Sequence, residues 1–569
     1  MQTGEFRKAA RGARPCDLLL TNARIIDVFS GEVINGSVAV SGGRIAGSGA
    51  YRARRTVDLG GRFVAPGFID SHVHIESSMT CVGEFARAVV VRGTTAVVAD
   101  PHEIANVLGV GGIRYMLDSA KNQPLNVFYA LPSCVPATDM ETAGARLAAA
   151  DLKPFFRDPG IVALGEMMNY PGVVNGDPDV LKKIAAARRH RKPIDGHAPG
   201  LSGRDLRAYI AAGVTSDHEC TTAAEALEKL AAGMHIMIRQ GTGARNLSDL
   251  LPIVTARTSR RLMWCTDDRH PHDLLHEGHI DSIVAAAIQG GVEPVTAIQM
   301  ATLNPAERFG LTHLGAIAPG RQADLVVFSN LSSPRIEEVY VRGELMARDG
   351  NLVAGISMPT TLPVPLSMNV NLPALDFSLP ASGKQVRVIE LIPNQVITGQ
   401  SVAKAPLEGN RLVSDPSRDL LKIAVIERHT GSGRIGLGVV HGLGLKYGAL
   451  ASSVAHDSHN IVVAGVTDAD MRAAAEVVVE MGGGIAAVAG DRIAARLPLP
   501  VAGLMSPEPV QQVSEAMDRL VRAARDLGSP LKDPFMMLSF LALPVIPELK
   551  ITDRGLVDVR QFKHVCLFV

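Results

Sequence analysis

Hydrophobic residues in the central part of the chain form short runs that alternate with longer amphipathic stretches. Short apolar runs bounded by turn residues predict buried strands, and stretches with apolar residues three and four positions apart predict helices. The predicted strands lie near residues 68–74, 95–100, 126–132, 161–166, 193–198, 215–219, 235–240 and 262–267. Because strands that alternate with helices are typical of parallel βα units, these eight predict a (β/α)₈ barrel over residues 67–312.

The two flanks of this segment share a different pattern, in which short alternating apolar stretches are separated by turn residues. Asn35-Gly36 is such a turn pair before the barrel, and Gly343 follows a strand-like stretch after it. Turn residues between alternating stretches predict β-hairpins. Residues 17–66 and 313–362 therefore predict one small β domain that is split by the barrel.

The rest of the chain predicts a tail and a third domain. Residues 1–16 carry several basic side chains and no apolar run of signal-peptide length, which predicts a flexible basic tail. Residues 363–569 contain strand-like, glycine-punctuated sequence with helical patterns near 467–482 and 507–527. The predicted fold class is α/β, with a TIM-like barrel, a split small β domain and a C-terminal α/β domain.

Composition narrows the classes of partner and compartment. Lys plus Arg and Asp plus Glu number 57 each among 569 residues, so no net field favours nucleic acid or a membrane surface. No uncharged apolar run reaches membrane-spanning length, and the six cysteines lack both a Cys-x-x-Cys pair and the density of a disulfide scaffold. These features predict a cytoplasmic protein with reduced thiols that binds neither nucleic acid nor membrane.

Two histidines, His72 and His74, close the first predicted barrel strand. Residues two apart in a strand point to the same face, so both rings can bind one cation. The pair alone is weak support, because histidines also serve as hydrogen-bonded core groups. Strand ends meet at one rim of a barrel, and further candidate ligands end later strands. These are Glu166, His197, His218 and Asp267.

Nitrogen and oxygen ligands without thiolate suit zinc, manganese or ferrous iron, and six of them exceed what one tetrahedral ion needs. Two divalent ions are therefore predicted, and they favour hydrolysis because they lower the pKa of a shared water. The predicted ligands are His72, His74 and Asp267 for one ion, His197 and His218 for the other, and Glu166 as the bridge. Asp267 is also the best candidate for proton transfer.

Other polar residues near the same rim are candidates for substrate contact, and each has a structural alternative. His102 and Glu103 follow the second strand, where they either contact substrate or begin the next helix. Glu76 either contacts substrate or stabilises a helix N-terminus. Asp268 faces away from Asp267 if the strand continues, so it orients substrate or supports the rim rather than binding metal.

Two further features are ambiguous. Arg239 ends the seventh predicted strand, and either a hydrogen bond to a polar ligand or a surface ion pair explains it. His456, Asp457 and His459 form either another metal cluster or a hydrogen-bonded loop that packs over the barrel. Since no clear strand or helix register fixes the three side chains, the loop is the favoured interpretation.

The segments around these candidates resemble a known family. The stretch from Pro66 to His74 is similar to the strand-one signature of the amidohydrolase superfamily. The fuller set is similar to the bacterial adenine deaminase family, and the similarity covers all but the N-terminal tail. It consists of His74-Ile75-Glu76-Ser77-Ser78-Met79, Asp100-Pro101-His102-Glu103-Ile104-Ala105-Asn106, Gly165-Glu166-Met167-Met168-Asn169, Asp195-Gly196-His197-Ala198-Pro199, Cys265-Thr266-Asp267-Asp268-Arg269-His270 and Ser452-Ser453-Val454-Ala455-His456-Asp457-Ser458-His459-Asn460.

The resemblance implies a purine-salvage enzyme that converts adenine and water to hypoxanthine and ammonia. It implies a binuclear site that holds Mn²⁺ or Fe²⁺, with Zn²⁺ as the alternative. Asp267 and His218 would be catalytic, and Glu76, Glu103 and Asp268 would contact the purine base. The broad C-terminal domain further predicts association into a homodimer or larger homo-oligomer.

Two alternatives remain open. A related amidohydrolase could act on another aminated heterocycle or on a cyclic amide, although the cyclic-amide relatives bridge their metals through a carboxylated lysine, whereas this chain offers Glu166. A non-catalytic assembly protein could also keep the barrel, since fold alone does not establish activity. Such scaffolds commonly lose metal ligands, and the full complement here argues against that hypothesis.

Overall fold

The N-terminal part of the chain forms one half of a sheet. A computed structural model describes residues 3–355, 362–393 and 395–569. The first elements are helix α1 (Thr3–Ala10) and strands β1 (Cys16–Asp27), β2 (Glu32–Ser41), β3 (Arg44–Ser48), β4 (Ala53–Asp58) and β5 (Phe63–Pro66). β1 pairs with β2 antiparallel and with β4 and β5 in parallel. β1 therefore lies at the centre of this half of the sheet.

The prediction of a flexible N-terminal tail is wrong for the described residues from position 3 onward. Helix α1 buries Phe6 and Ala9, and Ala9 packs with Leu19 of β1 in a small apolar cluster. Glu5 forms ion pairs with Lys8 and Arg14 at 2.8 and 2.7 Å. So short a helix is stable because of its tertiary packing, which a local sequence pattern does not reveal.

The central segment forms the predicted barrel, in which the strand neighbours run parallel. Its strands are β6 (Phe68–His74), β7 (Thr94–Ala99), β8 (Asn126–Leu131), β9 (Ile161–Met167), β10 (Ile194–Gly196), β11 (Ser216–Asp217), β12 (His235–Arg239), β13 (Leu262–Cys265) and the short β14 (Asp267–Asp268). β14 directly follows β13 and pairs with β6. A hydrogen bond of 3.1 Å from Thr215 N to Ile194 O links the fifth and sixth strands, so the ring is closed.

Helices connect the barrel strands and cover the outside of the ring. They are α2 (Val82–Val90), α3 (His102–Leu108), α4 (Val110–Ser119), α5 (Ala149–Leu152), α6 (Tyr170–Asn175), α7 (Pro178–Arg189), α8 (Gly203–Ala212), α9 (Ala223–Ala231), α10 (Leu247–Leu250), α11 (Pro271–His276), α12 (Ile280–Gln289), α13 (Pro294–Met300) and α14 (Leu303–Arg308). In α12, for example, Ile283, Val284 and Ala287 are buried, as expected where apolar residues recur at helical spacing. The barrel core is thus sealed from its outer side.

After the barrel, the chain returns to the first sheet. The returning strands are β15 (Leu325–Phe328), β16 (Glu338–Val341), β17 (Glu344–Arg348) and β18 (Asn351–Leu352). β15 pairs antiparallel with β5, in register from Phe63 opposite Phe328 to Pro66 opposite Leu325. Both flanks of the barrel therefore contribute strands to a single sheet.

The C-terminal part contains an eight-stranded sheet with a helix on each face. Its elements are β19 (Gln385–Leu391), β20 (Thr398–Lys404), β21 (Leu407–Glu408), β22 (Arg411–Leu412), β23 (Leu420–Ile426), β24 (Ile435–His441), β25 (Ala449–Ser452), β26 (Ile461–Gly465), α15 (Asp468–Glu480), β27 (Gly484–Ala489), β28 (Arg492–Pro498), α16 (Val510–Asp526), α17 (Pro534–Phe540), β29 (Leu549–Thr552), β30 (Gly555–Asp558) and β31 (Lys563–Val565). Because side chains alternate along a strand, Val425 of β23 joins the core with α16 and Ile426 joins the core with α15.

The C-terminal part is joined to the barrel by backbone contacts. Ser506 N donates to Met79 O at 2.8 Å, and Cys81 N donates to Ser506 O at 3.2 Å. Leu504 and Met505 are part of the main barrel core. These contacts fix the C-terminal part beside the rim at which β6 ends.

No helix within the three described ranges combines the length and the apolar character that crossing a bilayer requires.

A buried lysine in the C-terminal part predicts a pH-dependent stability. Burial lowers the pKa of Lys550 to about 7, and its Nζ donates to Val396 O and Phe540 O at 2.8 and 2.9 Å. Between pH 7 and the ordinary lysine pKa the unfolded chain binds the extra proton, so stability rises with pH by up to about 1.4 kcal/mol per unit. We expect K550M to lose this slope in urea unfolding at pH 7 to 10. K532M, at an exposed lysine, should keep it, and equal slopes in both variants would contradict the assignment.

Candidate metal centre

Six side chains from distant parts of the sequence meet at the carboxyl ends of the barrel strands. They are His72 and His74 on β6, Glu166 on β9, His197 after β10, His218 after β11 and Asp267 at the start of β14. All of them are buried except His197, whose side chain is 17% exposed. The structure therefore brings together the whole set of candidate ligands that the sequence identifies.

Glu166 lies at the centre of this group, with its two carboxylate oxygens facing different histidines. Oε1 is 3.1 Å from His74 Nε2 and 3.9 Å from His72 Nε2. Oε2 is 2.6 Å from His197 Nδ1 and 3.2 Å from His218 Nε2. A carboxylate whose oxygens face two separate pairs of histidines has the geometry of a bridge between two cations.

Asp267 faces the first of these histidine pairs. Its Oδ1 is 3.1 Å from His74 Nε2 and 3.5 Å from His72 Nε2, while Oδ2 accepts a hydrogen bond of 2.8 Å from Arg239 Nη1. The backbone of Asp267 has φ of 59°, a left-handed conformation uncommon outside glycine. Arg239 thus fixes one oxygen and leaves the other directed at the histidines.

The hydrogen bonds behind His72 and His74 set the tautomers that metal ligation needs. His72 Nδ1 faces Asp195 Oδ2 at 2.9 Å, and His74 Nδ1 faces the carbonyl oxygen of Asp100 at 2.9 Å. Both partners are acceptors, so Nδ1 carries the proton and Nε2 keeps its lone pair. A carboxylate or carbonyl behind a histidine in this way is typical of metal ligands.

His218 supports the same conclusion. Its ring stacks on that of His72 with centroids 4.0 Å apart, and it is buried. Neither ring nitrogen makes a hydrogen bond to any described residue, although buried polar atoms are normally satisfied. A cation beside Nε2 would satisfy it.

The charges of the cluster also favour cations. Burial opposes ionisation of Glu166, but His197, His218 and His74 hold its pKa well below the ordinary value. Burial also disfavours the charged form of His72, yet Asp195 and Asp267 raise its pKa to about 10. The surrounding carboxylates thus favour positive charge at this point, which bound metal ions would supply. Ligand atoms of His72, His74 and Glu166, and those of Glu166, His197 and His218, lie within 4.8 Å of one another.

The three predicted substrate-contact residues lie around this centre. Glu76 is buried, with Oε1 accepting from Ile104 N at 3.2 Å and Oε2 without a hydrogen-bond partner in the described chain. Asp268 accepts a hydrogen bond of 2.5 Å from Ser77 Oγ, and its carboxylate lies near His74 and Asp267. Burial, with a smaller contribution from neighbouring Glu103, raises the pKa of Glu76 to about 7.

His102 and Glu103, at the start of α3, are buried inside the site. His102 Nδ1 is 3.3 Å from Glu166 Oε1, and its Nε2 is 3.5 Å from Glu103 Oε1. A polar loop at the start of a helix therefore does not fully describe these two residues, because both also contact groups of the site. They link the centre to the C-terminal part of the chain.

Two residues of the site have no role that the sequence patterns predict. Asp195 holds His72, and Glu219 lies 3.6 Å from both His197 Nδ1 and His218 Nε2. Glu219 could have been predicted as a site residue, because it directly follows His218 at a strand end and the strand ends of a barrel meet at one rim. Asp195 begins the motif that runs to Pro199, but its role depends on His72, which is far away along the chain.

The interpretation of Arg239 as a surface ion pair is wrong. The residue is 7% exposed and its guanidinium lies between Glu219 and Asp267. Burial strengthens such pairing because less water competes for the charges. Arg239 therefore supports the centre by fixing two of its carboxylates.

The loop at 453–460 packs over the barrel, as its favoured interpretation predicts. His456 Nδ1 is 2.6 Å from Glu103 Oε1, and His459 Nε2 contacts Glu103 Oε2. Asn460 Nδ2 donates to Thr142 O at 2.7 Å. The C-terminal part of the chain thus reaches the rim of the barrel.

Family models match two parts of the chain. Residues 63–346 match the amidohydrolase family, and residues 395–563 match the adenine deaminase C-terminal domain. The first match covers the barrel with the strands that flank it, and the second covers most of the C-terminal part. The amidohydrolase family is metal-dependent, which agrees with the groups of candidate ligands at the rim.

Curated relatives match the whole chain. The adenine deaminase of Desulfatibacillum aliphaticivorans is 58% identical over 98% of both chains, and that of Methanothrix thermoacetophila is 50% identical over 100% of both. Adenine deaminase 2 of Carboxydothermus hydrogenoformans is 49% identical over 98% of both chains. Similarity of this extent includes the barrel, the split sheet and the C-terminal part together. The chain therefore belongs to the adenine deaminase family of the amidohydrolases.

Proposed function

We propose that this protein catalyses the hydrolytic deamination of adenine, in which water and adenine give hypoxanthine and ammonia. The full-length similarity to adenine deaminases is the observation that carries the proposal. The geometry at the rim supports it, because a buried group of histidines and carboxylates suits hydrolysis of a carbon–nitrogen bond. We place the reaction in purine salvage.

We propose that the cluster holds two divalent cations, Mn²⁺ or Fe²⁺, with Zn²⁺ as the alternative. His72, His74 and Asp267 would hold one cation, His197 and His218 the other, and Glu166 would lie between them. When bound, such ions lower the pKa of a water molecule toward neutrality and so supply a nucleophile near pH 7. Nitrogen and oxygen donors without thiolate accept each of these metals.

Asp267 is proposed to move the proton in this reaction. Its Oδ1 faces the histidine pair, and Arg239 holds Oδ2 at 2.8 Å. Burial disfavours the ionised form, but Arg239 and the histidines keep the pKa of Asp267 well below its ordinary value. The carboxylate is therefore ionised near pH 7, so Oδ1 can accept a proton from the attacking water and deliver it to the departing amino group. His218, which is buried with its ring stacked on that of His72, is proposed to orient the reacting carbon.

Purine recognition is proposed for Glu76, Glu103 and Asp268. Glu76, with its pKa near 7, can donate a hydrogen bond from its unpartnered oxygen to a ring nitrogen. Burial opposes ionisation of Glu103, but His456, His459 and His102 hold its pKa well below the ordinary value, so it can accept from a ring N–H. A free purine base offers both kinds of group, whereas ribose at N9 removes one N–H. We therefore expect adenine to be preferred over adenosine.

Metal removal and return test the proposed reaction. Full-length protein loaded anaerobically with Mn²⁺ or Fe²⁺ is expected to release ammonia from adenine and to form hypoxanthine. Treatment with a chelator should abolish turnover, and returning the metal should restore it. Adenosine, other aminated heterocycles and a cyclic amide serve as controls. No turnover of adenine by metal-loaded protein, or faster turnover of a control, would overturn the proposal.

Two predictions from the sequence stay predictions: the cytoplasmic location and the homodimer or larger homo-oligomer. Size-exclusion chromatography with light scattering measures the oligomeric state directly.

A further inference from the structure

The loop at 453–460 of the C-terminal part contacts Glu103 with two histidines. His456 Nδ1 is 2.6 Å from Glu103 Oε1, and His459 Nε2 contacts Oε2, so each carboxylate oxygen has its own imidazole. Glu103 and His459 are buried, and the side chain of His456 is 12% exposed. Ligand atoms of the three residues lie within 4.8 Å of one another, which fits either a third cation or a hydrogen-bonded clamp.

The hydrogen bond that His459 Nδ1 accepts favours the hydrogen-bonded clamp over a third cation. Ala455 N donates to His459 Nδ1 at 3.1 Å, so Nδ1 carries the lone pair and the proton of the neutral ring is on Nε2. Nε2 therefore donates to Glu103. A cation at Nε2 would need the proton on Nδ1, where it would face the amide of Ala455. This arrangement is the reverse of His72 and His74, whose Nδ1 atoms face acceptors.

A buried arginine holds the loop in the shape that this contact requires. Arg428 is fully buried, its Nε donates to His459 O, and its Nη2 donates to Ala502 O at 2.9 Å. His459 has φ of 54°, a conformation that non-glycine residues adopt only when their surroundings impose it. The ring of His456 stacks on Phe540 with centroids 4.7 Å apart. Both histidines are thus fixed by the C-terminal part before any ligand binds.

We propose that His459 and His456 are positioning residues that orient the Glu103 carboxylate toward the purine ring, so that the C-terminal part of the chain completes the substrate site. The inference rests on the proposed function, because it takes Glu103 as a group that contacts the base. Glu103 is next to His102, whose Nδ1 is 3.3 Å from Glu166, so its carboxylate lies beside the centre. Without the two imidazoles, the carboxylate keeps its longer contact with His102 Nε2 at 3.5 Å but is less restrained, so it must be ordered during binding.

The test compares variants of the full-length, Mn²⁺-loaded enzyme. We expect H459A to lower kcat/KM for adenine about 10- to 100-fold, the range seen when groups that orient a site residue are removed. The loss should fall mainly on KM, and H459Q, whose amide can donate to Glu103, should recover part of it. The control is H441A, because His441 also faces a glutamate in the C-terminal part, Glu390 at 2.6 Å, but its side chain is 45% exposed. H441A should match the parent.

A double-mutant cycle separates positioning from a general structural role. In an E103A background, H459A should have little further effect on KM, because the carboxylate that His459 positions is already absent. Additive losses in the double variant would overturn the inference, and so would unchanged kinetics of H459A. Loss of one metal equivalent per chain from H459A would also overturn it, because that loss would indicate a third cation. H456A gives the same cycle if H459A does not fold. A parent inactive on adenine removes the proposed function and this inference together, whereas an active parent with an unaffected H459A removes the inference alone.

Discussion

E166Q is expected to lose both bound metal and at least about a thousandfold in kcat. Glu166 lies within 4 Å of four of the other candidate ligands, and its two oxygens face different pairs of them: His72 and His74 on one side, His197 and His218 on the other. The substitution keeps the shape of the side chain but removes the negative charge that we propose to lie between two cations. Bound metals contribute several kcal/mol of transition-state stabilisation, which corresponds to a loss of this size.

The measurement pairs metal content by mass spectrometry with initial rates of ammonia release. E390Q is the matched control, because Glu390 also pairs with a histidine, His441 at 2.6 Å, but both residues lie partly exposed on the sheet of the C-terminal part. It should keep the metal content and the rate of the parent. An E166Q variant with full metal content and near-normal kcat would rule out a bridging role for Glu166.

D267N is expected to lower kcat about 10²- to 10⁴-fold, the usual contribution of a proton-transfer group, with a smaller change in KM. The amide oxygen can still face His74, but the side chain no longer accepts a proton at neutral pH. Arg239 also loses one of its two ionised partners, the one that accepts its hydrogen bond at 2.8 Å, and keeps Glu219. Steady-state kinetics over a range of pH, with metal content measured in parallel, checks this expectation.

D415N serves as the control for this variant. Asp415 is also paired with an arginine, Arg418 at 2.6 Å, but on the partly exposed surface of the C-terminal part. Its substitution should leave kcat unchanged. If D267N retains more than a tenth of the parent kcat, another group moves the proton, and Glu219 or His218 would be the next to test.

The barrel and the six candidate ligands could be predicted because both depend on local features. Apolar runs of strand length mark each βα unit, and the parallel topology places every strand end at one rim. His72 and His74 need only the alternation of a strand to share a face. The sequence therefore contains enough information to assemble the centre without coordinates.

The remaining parts of the site depend on contacts between distant residues. Arg239 has the same local sequence whether it is exposed or buried between Glu219 and Asp267, so its burial could not be read from the chain. The contact of His459 with Glu103 requires the C-terminal part to be docked on the barrel. Helix α1 is similarly fixed by packing that its own residues do not encode.

The pairing of β5 with β15 has a consequence for biosynthesis. Phe63 lies opposite Phe328, so the strand that completes this sheet emerges from the ribosome only after the entire barrel. At about 5–20 residues per second, the interval for about 250 residues is on the order of ten to fifty seconds. During that time β5 presents an unpaired apolar edge, the kind of surface on which nascent chains aggregate. The protein is thus expected to depend on chaperones while the barrel, with its candidate metal ligands, is still being synthesised.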